Sequence, residues 1–164
     1  MIAPIVQYDA CRPAAIPTPN KNERVAGYVD GPCEWPADGW SQFPGIVKVR
    51  ITIEGDPLAD VYDWELGTAP LSVVRTRIAT RRDDELASGV YVNESHWAEA
   101  VGALRDLPIV WWVAAWRAYD PTEWPTLTVP TGTIRAAAWQ HYSGPTYDLS
   151  AVDAAAWPAT LTVV

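Results

Sequence analysis

Short β-type runs separated by turn-forming residues recur along this chain, and they constrain its fold more than any other feature. Eight are legible, at 4–8, 25–29, 46–53, 60–65, 89–92, 109–115, 134–141 and 147–149. Two intervening segments carry helical spacing instead. In the first, Thr68 stands as N-cap and Pro70 in the first turn; Leu71, Val74 and Ile78 share one face, with Arg75, Arg77, Arg81 and Arg82 mostly outside. In the second, Ser95 is the expected cap, and Trp97, Val101 and Leu104 form the buried stripe. Strands that alternate with helices rather than hairpin turns favour parallel pairing.

The remaining links depart from that scheme. Segments 10–24, 30–45 and 116–133 are rich in Pro, Gly and Trp, and 54–59 is too short for a helix, although a parallel pair normally needs a longer crossover. In the third run Val47, Val49, Ile51 and Ile53 share one face while Lys48, Arg50 and Thr52 share the other. If the apolar set faces a core, the polar set meets solvent where a helix is missing.

Composition narrows the function classes. A chain of 164 residues fits one domain spanning 1–164 with a sizeable core. A net charge of −8 without a basic stripe argues against nucleic acid as a partner, and no apolar run is long enough to span a bilayer. The start of the chain lacks the pattern of a signal peptide, so another agent is expected to release the protein if it acts outside a cell. Two cysteines exclude a Cys-based zinc site, and His96 and His141 are the only histidines. Neither histidine is expected to face the acids discussed below. No nucleophile elbow or phosphate-cradling Gly-rich loop occurs, and no metal or cofactor is expected.

The chemistry-bearing segment is Asp60-Val61-Tyr62-Asp63-Trp64-Glu65. On a strand, Asp63 and Glu65 point to the same face roughly 6.6 Å apart, while Tyr62 and Trp64 point away. Such a pair suits glycosidic bond cleavage, in which one carboxyl is kept protonated and another ionised. The same spacing also describes the solvated face of an edge strand.

The order of motifs is specific where each motif alone is weak. Gln7-Tyr8-Asp9, Ala26-Gly27-Tyr28-Val29-Asp30-Gly31, Asp63-Trp64-Glu65, Val90-Tyr91-Val92-Asn93, Val110-Trp111-Trp112-Val113-Ala114, Ala138-Trp139-Gln140-His141-Tyr142 and Tyr147-Asp148-Leu149 follow one another over nearly the whole chain. This succession resembles the glycoside hydrolase family 25 lysozymes, and more closely the compact domains of that kind in actinobacteria and their phages. The resemblance implies an α/β fold, a compact irregular TIM-like (β/α)8 barrel with several helices shortened or missing. It implies cleavage of the β-1,4 bond between N-acetylmuramic acid and N-acetylglucosamine. Glu65 would be the general acid, and Asp63 would orient the 2-acetamido group or stabilise the oxocarbenium-like charge. Asp9 and Asp148 match the acids at the first and last strands, which become neighbours when the barrel closes. A crowd of carboxylates raises the proton affinity of at least one of them, and Glu65 is expected to hold that proton. The region before the Asp63-Trp64-Glu65 strand is compressed relative to the family, so groove-shaping loops are expected to be missing.

Ten tryptophans add candidate sugar platforms. Trp64, Trp97 and Trp111 or Trp112 read as core, whereas Trp35, Trp40, Trp116 and Trp124 lie in long connections where a ring could stack on sugar. Tyr28, Tyr91 and Gln140, near strand ends, and Trp112 are the candidate substrate contacts. Cys11 and Cys33 lie just past the ends of two strands expected to be adjacent, within reach of disulfide geometry. An extracellular or virion protein would form the bond, and a cytosolic one would not. Three readings follow: a peptidoglycan muramidase, a non-catalytic glycan-binding or structural virion or tail protein on the same barrel, and a glycosidase of another polysaccharide. The expected partners are peptidoglycan or a related glycan and, for a virion protein, other virion proteins. The expected location is a phage virion or the cell wall after release, and otherwise the cytoplasm until lysis.

Overall fold

The computed structural model describes residues 3–65, 69–83 and 89–157. Its strands are β1 (Ile5–Asp9), β2 (Arg24–Tyr28), β3 (Val47–Thr52), β4 (Val61–Asp63), β5 (Gly89–Asn93), β6 (Val110–Ala114), β7 (Thr126–Val129), β8 (Gly132–Arg135), β9 (Ala138–Ser143) and β10 (Asp148–Val152). The helices among the described residues are α1 (Ala37–Ser41), α2 (Leu71–Asp83) and α3 (Glu94–Leu104), with a 3-10 turn at Pro13–Ala15. Eight strands close a barrel in the order β1-β10-β9-β6-β5-β4-β3-β2, while β7 and β8 form a separate hairpin. The pairs from β1 through β6, and β6 with β9, are parallel; β10 runs antiparallel to both β9 and β1. The fold is therefore a closed, mixed eight-stranded barrel with few helices.

Two departures from the expected strands have local causes. The run at 134–141 is two strands, because Ile134 and Arg135 pair with Leu127 and Thr126 in the hairpin before Ala138 enters the barrel. The last strand is antiparallel because the link from Ser143 to Asp148 leaves no room for a crossover. The short connection between β3 and β4 nevertheless joins a parallel pair. Val61 lies opposite Ile51, near the end of β3, so the chain travels back only a residue or two before pairing. That link is pinned by Thr52, whose Oγ1 accepts from Gly55 N at 2.6 Å and Asp56 N at 2.8 Å and whose hydroxyl donates to Asp30. Thr52 is thus buried instead of meeting solvent with Lys48 and Arg50.

Alternation along the strands builds two layers. Inward-facing Ala26, Val49, Ile51, Val61, Trp112, Ala138 and Val152 fill the barrel together with Trp157. Outside β4 to β6, α2 and α3 pack Val74, Ile78, Trp97, Val101 and Leu104 against Tyr62, Val90, Val92, Trp111 and Val113. The α3 cap is Asn93, which accepts from Ser95 N at 3.0 Å, so Ser95 sits inside the helix it was expected to cap. Thr68, the expected cap of α2, and the side chains of Arg81 and Arg82 lie outside the described residues. No helix among the described residues is long and apolar enough to cross a membrane.

The outer face of β1 and β2 is covered without a long helix. Trp35 packs there with Phe43, Ile46 and Val25, and its indole N–H donates to Ala10 O at 2.9 Å. A disulfide joins Cys11 to Cys33 across the loops that follow β1 and β2, with Cα atoms 4.6 Å apart. Gly27 makes the tryptophan's seat: a Cβ there would lie 2.4 Å from Trp35 Cδ2. Gly27→Ala is expected to cost the domain about 1–3 kcal/mol, since neither the strand nor the wedged ring can yield freely. Urea unfolding of the oxidised protein checks this; an unchanged midpoint would show that Trp35 is not seated on the β2 backbone.

Candidate active site

The end of the barrel where the parallel strands terminate carries a pocket of about 180 Å3 lined by Asp9, Tyr28, Ile51, Asp63, Glu65, Tyr91, Trp112, Gln140 and Asp148. The four carboxylates and four candidate sugar contacts singled out from the sequence are thus brought together. Asp9, Tyr28 and Asp63 end their strands. Asp148 instead opens β10, but that strand runs in reverse, so it reaches the same rim directly opposite Asp9 in the β1–β10 register. Sequence reasoning missed Ile51, which lines the pocket wall, and Ser150, which accepts from Trp112 Nε1 at 2.9 Å and fixes that ring. Ser150 could have been found from its parity with Asp148 on one strand.

Depth separates the acids. Asp9 and Asp63 are 7% and 6% exposed, whereas Glu65 stands exposed at the mouth. Tyr28 OH donates to Asp63 Oδ2 at 2.9 Å, and Tyr91 OH donates to Gln140 Oε1. The other oxygens, Asp9 Oδ1 and Asp63 Oδ1, are buried without a hydrogen-bond partner among the described residues. Burial, reinforced by the charge of Glu65 and opposed by the Tyr28 hydrogen bond, pushes the Asp63 carboxyl up to about 7. Burial, then the charges of Asp148 and Asp63, holds Asp9 well above the usual carboxylate range. Burial and the Asp63 charge also raise the hydroxyls of Tyr28 and Tyr91, which therefore remain donors. The pocket floor accordingly carries a carboxyl that exchanges a proton near neutrality, beside tyrosine donors of fixed direction.

Other candidates lie elsewhere. Trp35 is buried in the outer layer and cannot serve as an exposed platform, Trp40 is half-buried over it, Trp116 is exposed, and Trp124 stacks under Arg135 at 4.2 Å. Trp64, Trp97 and Trp111 are core, and Trp112 is both buried and part of the pocket wall. His141 packs against Tyr119 and Trp139, and His96 edges Trp64; neither lines the pocket. Among the described residues no group of His, Cys, Asp and Glu side chains is placed to hold a metal ion.

The fold and site together define a closed mixed barrel with carboxylates gathered at one rim. No family model matches the chain, and neither the curated proteins nor the solved structures include a match.

A raised acid makes stability pH-dependent with a definite sign. The folded chain binds the Asp63 proton more tightly than the unfolded chain, so the stability this group contributes falls as pH rises from about 4 to about 7 and is lost above, with buried Asp9 adding a slope of the same sign. The loss attributable to Asp63 is on the order of 2–4 kcal/mol. Asp63→Asn should flatten that slope and raise stability at pH 8, because the amide oxygen still accepts from Tyr28. Urea titrations at several pH values read the slope; one that is equally steep in the variant would place the proton elsewhere.

Proposed function

We propose that the domain is a glycoside hydrolase of the muramidase type, built on a reduced (β/α)8-type barrel of the glycoside hydrolase family 25 kind and acting on peptidoglycan. The observation that carries this reading is the convergence of Asp9, Asp63, Glu65 and Asp148 in one pocket that also offers Tyr28, Tyr91 and Gln140 as polar contacts. Hydrolysis of a glycoside needs a proton for the leaving oxygen and negative charge beside the developing oxocarbenium ion, and a carboxyl pair supplies both. Glu65, at the mouth where a chain of sugars arrives, is the proton donor in this reading. Asp63, deeper and oriented by Tyr28, faces the ring and either accepts a hydrogen bond from the 2-acetamido N–H or stabilises the charge at the anomeric centre. Asp9 lies behind it, where burial and the neighbouring acids Asp148 and Asp63 favour a retained proton within the cluster. Trp112, edge-on to Tyr91 at 5.2 Å, stiffens the wall against which a ring would rest.

One observation favours a second reading, a virion or wall protein that holds glycan on the same rim without cutting it. A pocket of about 180 Å3 accommodates little more than one sugar ring, so the groove that would grip a glycan on both sides of the scissile bond is shallow.

Glu65→Gln keeps the shape and removes the transferable proton. Release of reducing ends from purified cell walls should fall by a factor of about 100 or more, with the unfolding midpoint retained. Wild-type rates in the variant would remove Glu65 from the role, and a wild-type protein that binds walls without releasing reducing ends would establish the second reading.

A further inference from the structure

The barrel carries a second concavity, outside its wall and separate from the rim. The connection from β3 to β4 is too short to lay a helix over the outer face of β3, and α1 covers only part of the neighbouring surface. The uncovered face is a groove of about 530 Å3 lined by Val29, Ala37, Trp40, Ser41, Pro44, Lys48, Arg50, Asp56 and Leu58. None of these residues lines the pocket of acids.

The groove combines a braced aromatic ring with positive charge. Trp40 packs on Trp35 at 4.6 Å between ring centroids, and Trp35 is itself held by the hydrogen bond to Ala10 O and by its seat on Gly27. The Trp40 ring therefore has its position set before any ligand arrives, so little conformational entropy is lost when a flat apolar surface stacks on it. Arg50 alternates with the inward residues of β3 and points outward; its guanidinium makes no ion pair among the described residues. Lys48 adds a second positive charge on the same strand face. Asp56 lines the same groove and Lys48 has contacts of its own, so Arg50 is the cation that an anionic group in the groove would meet. A neutral sugar would use the ring alone, and a small anion would use the cation alone.

We infer that this outer groove is a second saccharide site, specific for a sugar that carries a carboxylate, with its ring face on Trp40 and its carboxylate on the Arg50 guanidinium. The inference rests on the glycan reading above for its source of ligand, but it uses none of the same residues. Its consequence is that a wall glycan is held by the barrel flank while another part of the strand enters the rim pocket, which offsets the shallowness of that pocket. Arg50 is suited to the task because a planar guanidinium can pair with a carboxylate through two parallel hydrogen bonds.

The test is a titration of the intact, oxidised protein with N-acetylmuramic acid and with N-acetylglucosamine, which lacks the lactyl carboxylate, followed by amide and indole NMR shifts. The expected result is a preference of about tenfold or more for the acidic sugar, with the Trp40 indole N–H among the shifted signals. Arg50→Gln should abolish the preference while leaving the spectrum folded, and Trp40→Phe should weaken both sugars. Equal affinity for the two sugars, shifts confined to Tyr28, Tyr91 and Trp112, or no binding would each overturn the site. Acidic-sugar binding at Trp40 by a protein that cleaves no wall would retain this site and remove the hydrolase reading. Cleavage by a protein that fails this titration would do the reverse.

Discussion

Burial of two carboxyls at the end of a closed barrel is the constraint to which the rest of this structure answers. Asp9 and Asp63 each present an oxygen to the interior without a hydrogen-bond partner among the described residues. Their neighbours are other acids and tyrosine hydroxyls rather than cations. The ion pairs Arg75–Asp106, Arg117–Glu94 and Arg135–Asp153 all lie toward the surface and do nothing to neutralise them. An ionised carboxylate in such a place is costly, and the least expensive remedy is a retained proton. The site's capacity for acid chemistry and its cost to stability are thus the same physical fact.

The apolar barrel below and the layers around it make that cost tolerable. Beneath the acids, Val49, Ile51, Val61, Trp112 and Val152 pack with Trp157, and burying each such side chain contributes roughly 1.5–3 kcal/mol. The outer layers are unequal. Two helices cover β4 to β6, a tryptophan-centred loop stapled by Cys11–Cys33 covers β1 and β2, and β3 is left partly open. This asymmetry follows from link lengths: helices form only where the chain between strands is long enough to hold them. The exposed flank of β3 is therefore a consequence of the eight-residue return through Asp56 and Leu58, and the residues placed there need not be apolar.

Part of the rim was legible because strand parity is a local property. Alternation alone put Asp63 and Glu65 on one face and the pair Lys48 and Arg50 opposite Val49 and Ile51, whereas Asp9 and Asp148 were placed by the family resemblance and Tyr28 and Gln140 by their position near strand ends. Depth was not legible. Asp63 and Glu65 share a face by spacing, but β4 ends at Asp63, so Glu65 stands exposed beyond the strand and the buried carboxyls of the rim are Asp63 and Asp9. Strand direction was also hidden from periodicity; only the brevity of the link after Ser143 signals that β10 turns back. The hairpin was masked because Ile134 and Arg135 run straight into the apolar stretch of β9, although alternating Thr126 to Val129, followed by Pro130, Thr131 and Gly132, carries the pattern of a strand and turn. Burial of Trp35 depended on the absence of a side chain at Gly27, a long-range fit that no local pattern contains.

The most direct test of this account is a carbon-13 NMR titration of the aspartate side-chain carboxyls in the oxidised wild-type protein. The account predicts that Asp63 titrates with a midpoint near 7 and that Asp9 titrates well above the usual carboxylate range, with the Tyr28 ring signals following the Asp63 transition. Both carboxyls titrating near 4, as exposed aspartates do, would show that the rim is open to water and that no proton is stored there.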